Sequence, residues 1–135
     1  MSGEPASTTP TRVLLVDDHR IFRESLRALL DLHEDVEVVA EAGSGEEAVR
    51  LAAGGVADVV LLDVEMPGQS VLTTLADLRR TAPRTRVVVL TMHENASLAR
   101  LLLMQGASAY LIKTIGHREL VAALRTSVTG GTPPG

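Results

Sequence analysis

Five short apolar runs, each followed by a stretch of helical periodicity, constrain the fold of this chain more than any other feature. The runs are residues 12–16 (RVLLV), 36–40 (VEVVA), 59–62 (VVLL), 87–90 (VVVL) and 109–112 (AYLI). Three of them are apolar almost throughout, the pattern of strands buried on both faces. The second alternates, with Glu37 between Val36 and Val38, which suits the edge of a sheet. Helical spacing appears in Ile21, Phe22, Leu26, Leu29 and Leu30, and again in Val71, Leu72, Leu75 and Leu78. An Ala-rich helix fits residues 45–53, and two more fit 95–105 and 117–128, with Gly106 placed to cap the first of these. Repeated strand–helix alternation with short links predicts an α/β fold, a doubly wound parallel sheet with helices on both faces.

At 135 residues the chain holds one domain with a real core. Hydrophobic residues make up 45% and charged residues 22%, a globular rather than a disordered balance. Phe22 and Tyr110 are the only aromatics, so Leu, Val, Ile and Ala must build the core. The absence of cysteine excludes disulfides and thiolate metal sites. No apolar run approaches the roughly 20 residues that cross a bilayer, and residues 1–10 lack a signal-peptide segment, so a cytoplasmic location is expected. A formal net charge of −4 argues against nucleic-acid binding by this segment itself. Residues 1–11 read as a disordered tail and 129–135 as a linker, leaving 12–128 as the folded domain.

In doubly wound sheets, functional groups collect at the carboxyl ends of the strands. There the first run gives way to Asp17 and Asp18, the third to Asp63, the fourth to Thr91 and the fifth to Lys113, the chain's single lysine. Crowded carboxylates repel one another, and a divalent cation relieves the conflict. Hard oxygen donors favour Mg²⁺, which keeps several waters and leaves room for a phosphate oxygen. A carboxylate could then attack phosphorus while Lys113 and the metal neutralise the transferring group and Thr91 hydrogen-bonds it afterwards. Each residue alone has a plainer reading; Asp18, for instance, could simply cap the first helix. The combination carries the signal.

Asp17-Asp18-His19 after RVLLV, LLDVEMPG around Asp63, VVVLT ending at Thr91 and QGASAYLIK ending at Lys113 together resemble a response-regulator receiver domain of two-component signalling. The DDH start and the QGASAYLIK segment most resemble the subgroup with a C-terminal helix-turn-helix of the LuxR/NarL type. The resemblance covers residues 12–127. It implies a flavodoxin-like sheet of order 2-1-3-4-5, with Asp63 as the phospho-acceptor. It further implies that Asp18 binds Mg²⁺ directly, Asp17 through water, and Glu65 through its backbone carbonyl, with Asp63 in the same set. Lys113 would pair first with Asp63 and then with the phosphoryl group. Thr91 would swing toward that group, and Tyr110 would turn inward behind it as the second part of the switch. Read by periodicity alone, Tyr110 is equally an amphipathic core residue with its hydroxyl at the surface. The implied partners are a sensor histidine kinase and, through an output domain outside this chain, DNA.

The chain departs from the family pattern in places. Ser70 and Val71 stand where Asp and Gly are usual; Ser70 can still cap the third helix, but access to positive φ is lost at Val71. Thr114 replaces a common proline, so the Lys113–Thr114 peptide is expected to be trans. Glu65 and His93, two residues beyond Asp63 and Thr91, are expected to tune the lifetime of the phosphorylated form. On the fourth helix, Ala99, Leu102, Leu103 and Gly106 are expected to cover the sheet. Leu98, Leu101 and Gln105 form a second stripe, and a homodimer through the fourth and fifth helices would use it. His19, His33 and His117 match no zinc spacing and are expected to be solvated. Two alternatives stay open: a Mg²⁺-dependent phosphohydrolase with an aspartyl nucleophile, and a receiver-like interaction module that is never phosphorylated. On the leading reading the domain is no enzyme beyond its own phosphoryl transfer and dephosphorylation.

Overall fold

The computed structural model describes residues 9–66 and 68–129. Residues 1–8 of the expected tail and 130–135 of the expected linker lie outside them. The described chain alternates strictly: β1 (Thr11–Val16), α1 (Arg20–Leu30), β2 (Val36–Ala42), α2 (Gly45–Ala53), β3 (Val59–Asp63), α3 (Val71–Thr81), β4 (Arg86–Thr91), α4 (Ala96–Met104), β5 (Ala109–Ile112) and α5 (His117–Val128). The strands form one sheet of order β2-β1-β3-β4-β5, every pair parallel. The doubly wound order is thus as expected, with β2 at an edge.

The sheet's pleat sorts successive residues to opposite faces. Val13, Leu15, Val59, Leu61, Val88 and Leu90 meet Leu26 and Leu30 of α1 and Leu120, Val121 and Leu124 of α5. The intervening Leu14, Val16, Val60, Leu62, Val87 and Val89 meet Ala48 of α2, Leu75 and Leu78 of α3, and Leu102 of α4. Both faces of β1, β3 and β4 are therefore dry, which is why these runs are continuously apolar.

Side-chain oxygens start three of the helices, satisfying backbone N–H groups that have no partner within the helix. Ser44 accepts from Glu47 N, Ser70 from Leu72 N and Asn95 from Leu98 N. Ser70 caps α3 as expected. Asp18 does not cap α1: His19 occupies that position without a side-chain bond. The left-handed step in the loop after Asp63 falls on Gly68, with φ 89°, so Val71 is free to open α3. No peptide bond among the described residues is cis, and Lys113–Thr114 is trans as expected.

The phase of α4 differs from expectation. Leu102 is fully buried and Leu98 packs beside it, whereas Leu103 is 46% exposed and faces out with Leu101 and Met104. Residues 98 and 102, one turn apart, set the inward stripe, and Leu103 falls outside its arc. His33 and His117 are not simply solvated either. Their rings meet edge to face, with His33 Nε2 2.9 Å from His117 Nδ1, tying the turn after α1 to the start of α5.

Candidate functional site

Sheet register alone brings the acidic residues together. Val16 pairs with Leu62, so the residues that follow, Asp17 and Asp63, emerge side by side. Thr91 pairs with Ile112, and Lys113 continues from there, its N–H donating to Thr91 O at 2.7 Å. Asp17, Asp63 and Thr91 are 4%, 2% and 2% exposed, so the groups meet largely out of solvent.

Lys113 bridges the acids. Its Nζ lies 3.0 Å from Asp63 Oδ1, 3.4 Å from Asp17 Oδ2 and 3.9 Å from Glu65 Oε1. It also sits 4.5 Å from the centre of the Phe22 ring, whose negative face favours a cation. Burial works against the Lys113 charge, but the Asp63 hydrogen bond and the charges of Asp63 and Asp17 outweigh it, and its pKa is raised. Asp63 moves up as well. Burial is the main cause, and the Asp17 charge adds to it beyond what Lys113 and the Glu65 N–H offset. One ammonium serving two carboxylates is itself held firmly charged, yet leaves Asp63 short of compensation.

The oxygens turned away from Lys113 could hold a metal ion. Asp17, Asp18, His19 and Asp63 each offer a ligand atom, all within 4.8 Å of one another. Asp63 Oδ2 and Asp18 Oδ1 are buried with no hydrogen bond, although His19 Nδ1 comes within 3.3 Å of the latter. Buried acceptors are almost always satisfied, so two orphaned carboxylate oxygens facing a shared space suit a hard cation. Asp17 is anchored from behind: its Oδ1 accepts from His19 N at 2.8 Å, and Arg23 Nη1 donates to its carbonyl.

Thr91 is already engaged. Its hydroxyl donates to Glu65 Oε2 at 2.7 Å and accepts from His93 N at 3.2 Å. Met92 N also donates to the Glu65 carboxylate, at 3.2 Å. Tyr110 OH donates to the His93 carbonyl at 3.2 Å, so His93 joins the site through its backbone. Beside Tyr110, a cleft of about 530 Å³ opens between Asn95, Ala96 and Ala99 on one side and Ile112 on the other.

Asp17, Asp18, Asp63, Glu65, Thr91 and Lys113 therefore converge, with Tyr110 and His93 at the margin. Sequence reasoning missed Phe22 under the lysine, Arg23 behind Asp17 and the place of His19 beside the acids. His19 directly follows two aspartates, a signal that was available. Phe22 and Arg23 looked like ordinary positions on an amphipathic helix, and no local pattern marks them.

Residues 13–125 match the response regulator receiver domain family. The nitrate/nitrite response regulator protein NarP of Escherichia coli K12 is 41% identical over 122 residues, covering 90% of this chain and 57% of that protein. The transcriptional regulatory protein DegU of Brevibacillus brevis is 33% identical over 129 residues, covering 96% and 55%. This chain thus spans just over half the length of these curated relatives. Among solved structures, a two-component response regulator of the LuxR family from Aurantimonas sp. SI85-9A1 superposes with a TM-score of 0.85 at 33% identity, covering 93% of this chain and 91% of that one. The receiver domain of AraT, a response regulator from Geobacillus stearothermophilus, does so at 0.76 and 34%, covering 90% and 97%. With a family match over most of its length, the expected sheet order and the acids gathered at its carboxyl edge, the chain belongs to the response-regulator receiver domains, in their LuxR/NarL branch.

Proposed function

We propose that Asp63 is the phospho-acceptor of this receiver domain, and that its phosphorylation by a sensor histidine kinase controls a transcriptional output. The observation that carries the assignment is the state of Asp63 itself. One oxygen is held by Lys113, the other is buried without a partner, and the pKa is raised. A carboxylate oxygen left free of hydrogen bonds is available as a nucleophile, and the further negative charge that a phosphoryl group brings would be met by Lys113 and a bound cation.

Asp18, Asp63 and the backbone carbonyl of Glu65 would hold Mg²⁺, with Asp17 acting through water. The ion would supply charge neutralisation at the phosphoryl oxygens. In the transfer, an Asp63 carboxylate oxygen forms the bond to phosphorus as the bond to the donor's leaving atom breaks, and the leaving group departs with that electron pair. Lys113 keeps its charge throughout, first against Asp63 and then against the new phosphoryl group. Thr91 turns its hydroxyl to a phosphoryl oxygen, and Tyr110 gives up the His93 carbonyl and moves inward. Glu65 and His93 stand where side chains govern water's approach and thereby tune the lifetime of the acyl phosphate.

The switch in this reading runs from Thr11, not from residue 12 as expected, because Thr11 already pairs with Val36 in β1 and donates its N–H to Asp35 O at 3.0 Å. It ends at residue 128, with 129–135 a linker toward a DNA-binding output domain. The exposed Leu101, Leu103 and Met104 on α4 offer a homodimer surface. No helix among the described residues is long and apolar enough to cross a membrane, and a cytoplasmic location is part of the proposal.

The deciding experiment is intact mass before and after incubation with a small phosphodonor and Mg²⁺. The wild type should gain one phosphoryl group and Asp63→Ala none. Turnover of free phosphomonoesters would instead mark a phosphohydrolase, and no gain at all an interaction module that is never phosphorylated.

A further inference from the structure

The geometry points to Glu65 as an internal competitor of the phosphoryl group: in the resting domain its carboxylate holds the donors that a modified Asp63 would need. This inference rests on Asp63 being the acceptor and goes beyond an effect on hydrolysis.

The Glu65 carboxylate spans two of the groups assigned to phosphoryl recognition. Its Oε2 takes the Thr91 hydroxyl proton at 2.7 Å, and its Oε1 approaches Lys113 Nζ to 3.9 Å. The Met92 N–H, next along the β4–α4 loop, closes on the same carboxylate at 3.2 Å. A hydroxyl has one proton to donate. Thr91 therefore cannot serve Glu65 and a phosphoryl oxygen together, and its turn toward Asp63 must break a charge-assisted bond. Glu65 is placed for this by its own backbone, whose N–H donates to Asp63 Oδ1 at 3.1 Å and fixes the loop against the acceptor. The acceptor and its competitor thus share one short segment. The side chain is only one-third exposed, so water replaces these bonds incompletely.

Release of Glu65 is then part of activation. Thr91 and Met92 stay pinned until a stronger anion arrives, which suppresses the active arrangement in the unmodified domain. The Glu65 charge also repels the incoming phosphoryl group, but that effect does not require Thr91, and this separates the two experimentally.

The test uses beryllium fluoride with Mg²⁺ as a stable phosphoryl mimic, its affinity read by isothermal titration calorimetry. Glu65→Ala should bind it on the order of tenfold more tightly, the scale of one charge-assisted hydrogen bond no longer broken. Glu65→Gln, which keeps an acceptor oxygen without the charge, should fall between it and the wild type. In a Thr91→Val background, Glu65→Ala should change the affinity little. Amide hydrogen exchange at Met92 in the resting domain should be faster in Glu65→Ala than in the wild type. Equal tightening in both backgrounds would assign the effect to repulsion and overturn the competition. So would unchanged or weaker binding by Glu65→Ala, or unchanged Met92 exchange. A wild type that binds no mimic with Mg²⁺ would overturn the acceptor assignment along with it, whereas failure of the competition alone leaves wild-type binding intact.

Discussion

Asp58 and Asp63 flank the same strand, β3, and each is penalised by burial and accepts a backbone N–H, but they differ in how fully the neighbouring cation compensates them. At the amino end, Asp58 accepts from Arg12 N at 2.9 Å and from the Arg12 guanidinium at 3.1 Å. Burial pushes its pKa up, but the Arg12 side-chain and backbone bonds and charge outweigh that, and it ends below the ordinary range. At the carboxyl end, Asp63 shares one ammonium with Asp17, keeps an orphaned oxygen and ends above it. One acid is satisfied and fastens β1 to β3; the other is under-compensated at the same sheet's functional edge. A carboxylate flanking a strand thus says little by itself. The number and sign of its neighbours decide whether it is a fastening or a reagent.

The comparison can be tested by substitution. The largest effect should come from the strand that joins the two acids. Leu62 is fully buried, and Leu62→Ala should cost about 2–5 kcal/mol in urea unfolding. That loss should be felt at both ends alike. Asp58→Ala comes next, at about 1–2 kcal/mol, because the Arg12 N–H loses its acceptor; the half-exposed guanidinium adds little. Its Mg²⁺ affinity, measured by calorimetry, should stay at the wild-type value. A parallel loss of Mg²⁺ binding would mean that the two ends are not independent.

Asp63→Asn should act in the opposite direction and least strongly, raising resting stability by on the order of 1 kcal/mol or less while abolishing phosphorylation. The pH dependence separates the two acids further. The depressed pKa of Asp58 gives stability that is fully present above the ordinary carboxyl range and is lost as pH falls through its folded value. The raised pKa of Asp63 does the reverse: folding is penalised as pH climbs from the ordinary range through the folded value, and above that the penalty is complete. The gain in Asp63→Asn should therefore appear at neutral pH and vanish in acid, and thermal melts across that range would show it. A gain that persists in acid would refute the electrostatic account.

Much of this was legible beforehand. Apolar runs announce strands buried on both faces, and parallel topology dictates that Asp17, Asp63, Thr91 and Lys113 leave their strands on one side. What eluded sequence reading depends on side-chain direction. Leu103 and Leu98 exchanged roles because a helix with apolar residues most of the way round leaves its rotation undetermined until it docks. For Asp18 the plainer cap reading falls away, since His19 holds the cap position and Asp18 lies in the acidic cluster. His33 and His117 lie far apart in sequence, so nothing local predicts that their rings meet.

The order of elements, the sheet type and the residues at the strand ends were set by the sequence alone, since they follow from hydrophobic period and chain connectivity. Folding in three dimensions decided the electrical state of each group: that Lys113 rests on Phe22 between two acids, that Asp63 keeps a bare oxygen, and that Glu65 holds Thr91. Those outcomes depend on distances of a few ångströms between segments remote along the chain. Coulombic and hydrogen-bond energies change steeply over such distances, whereas the pattern of apolar residues does not register them.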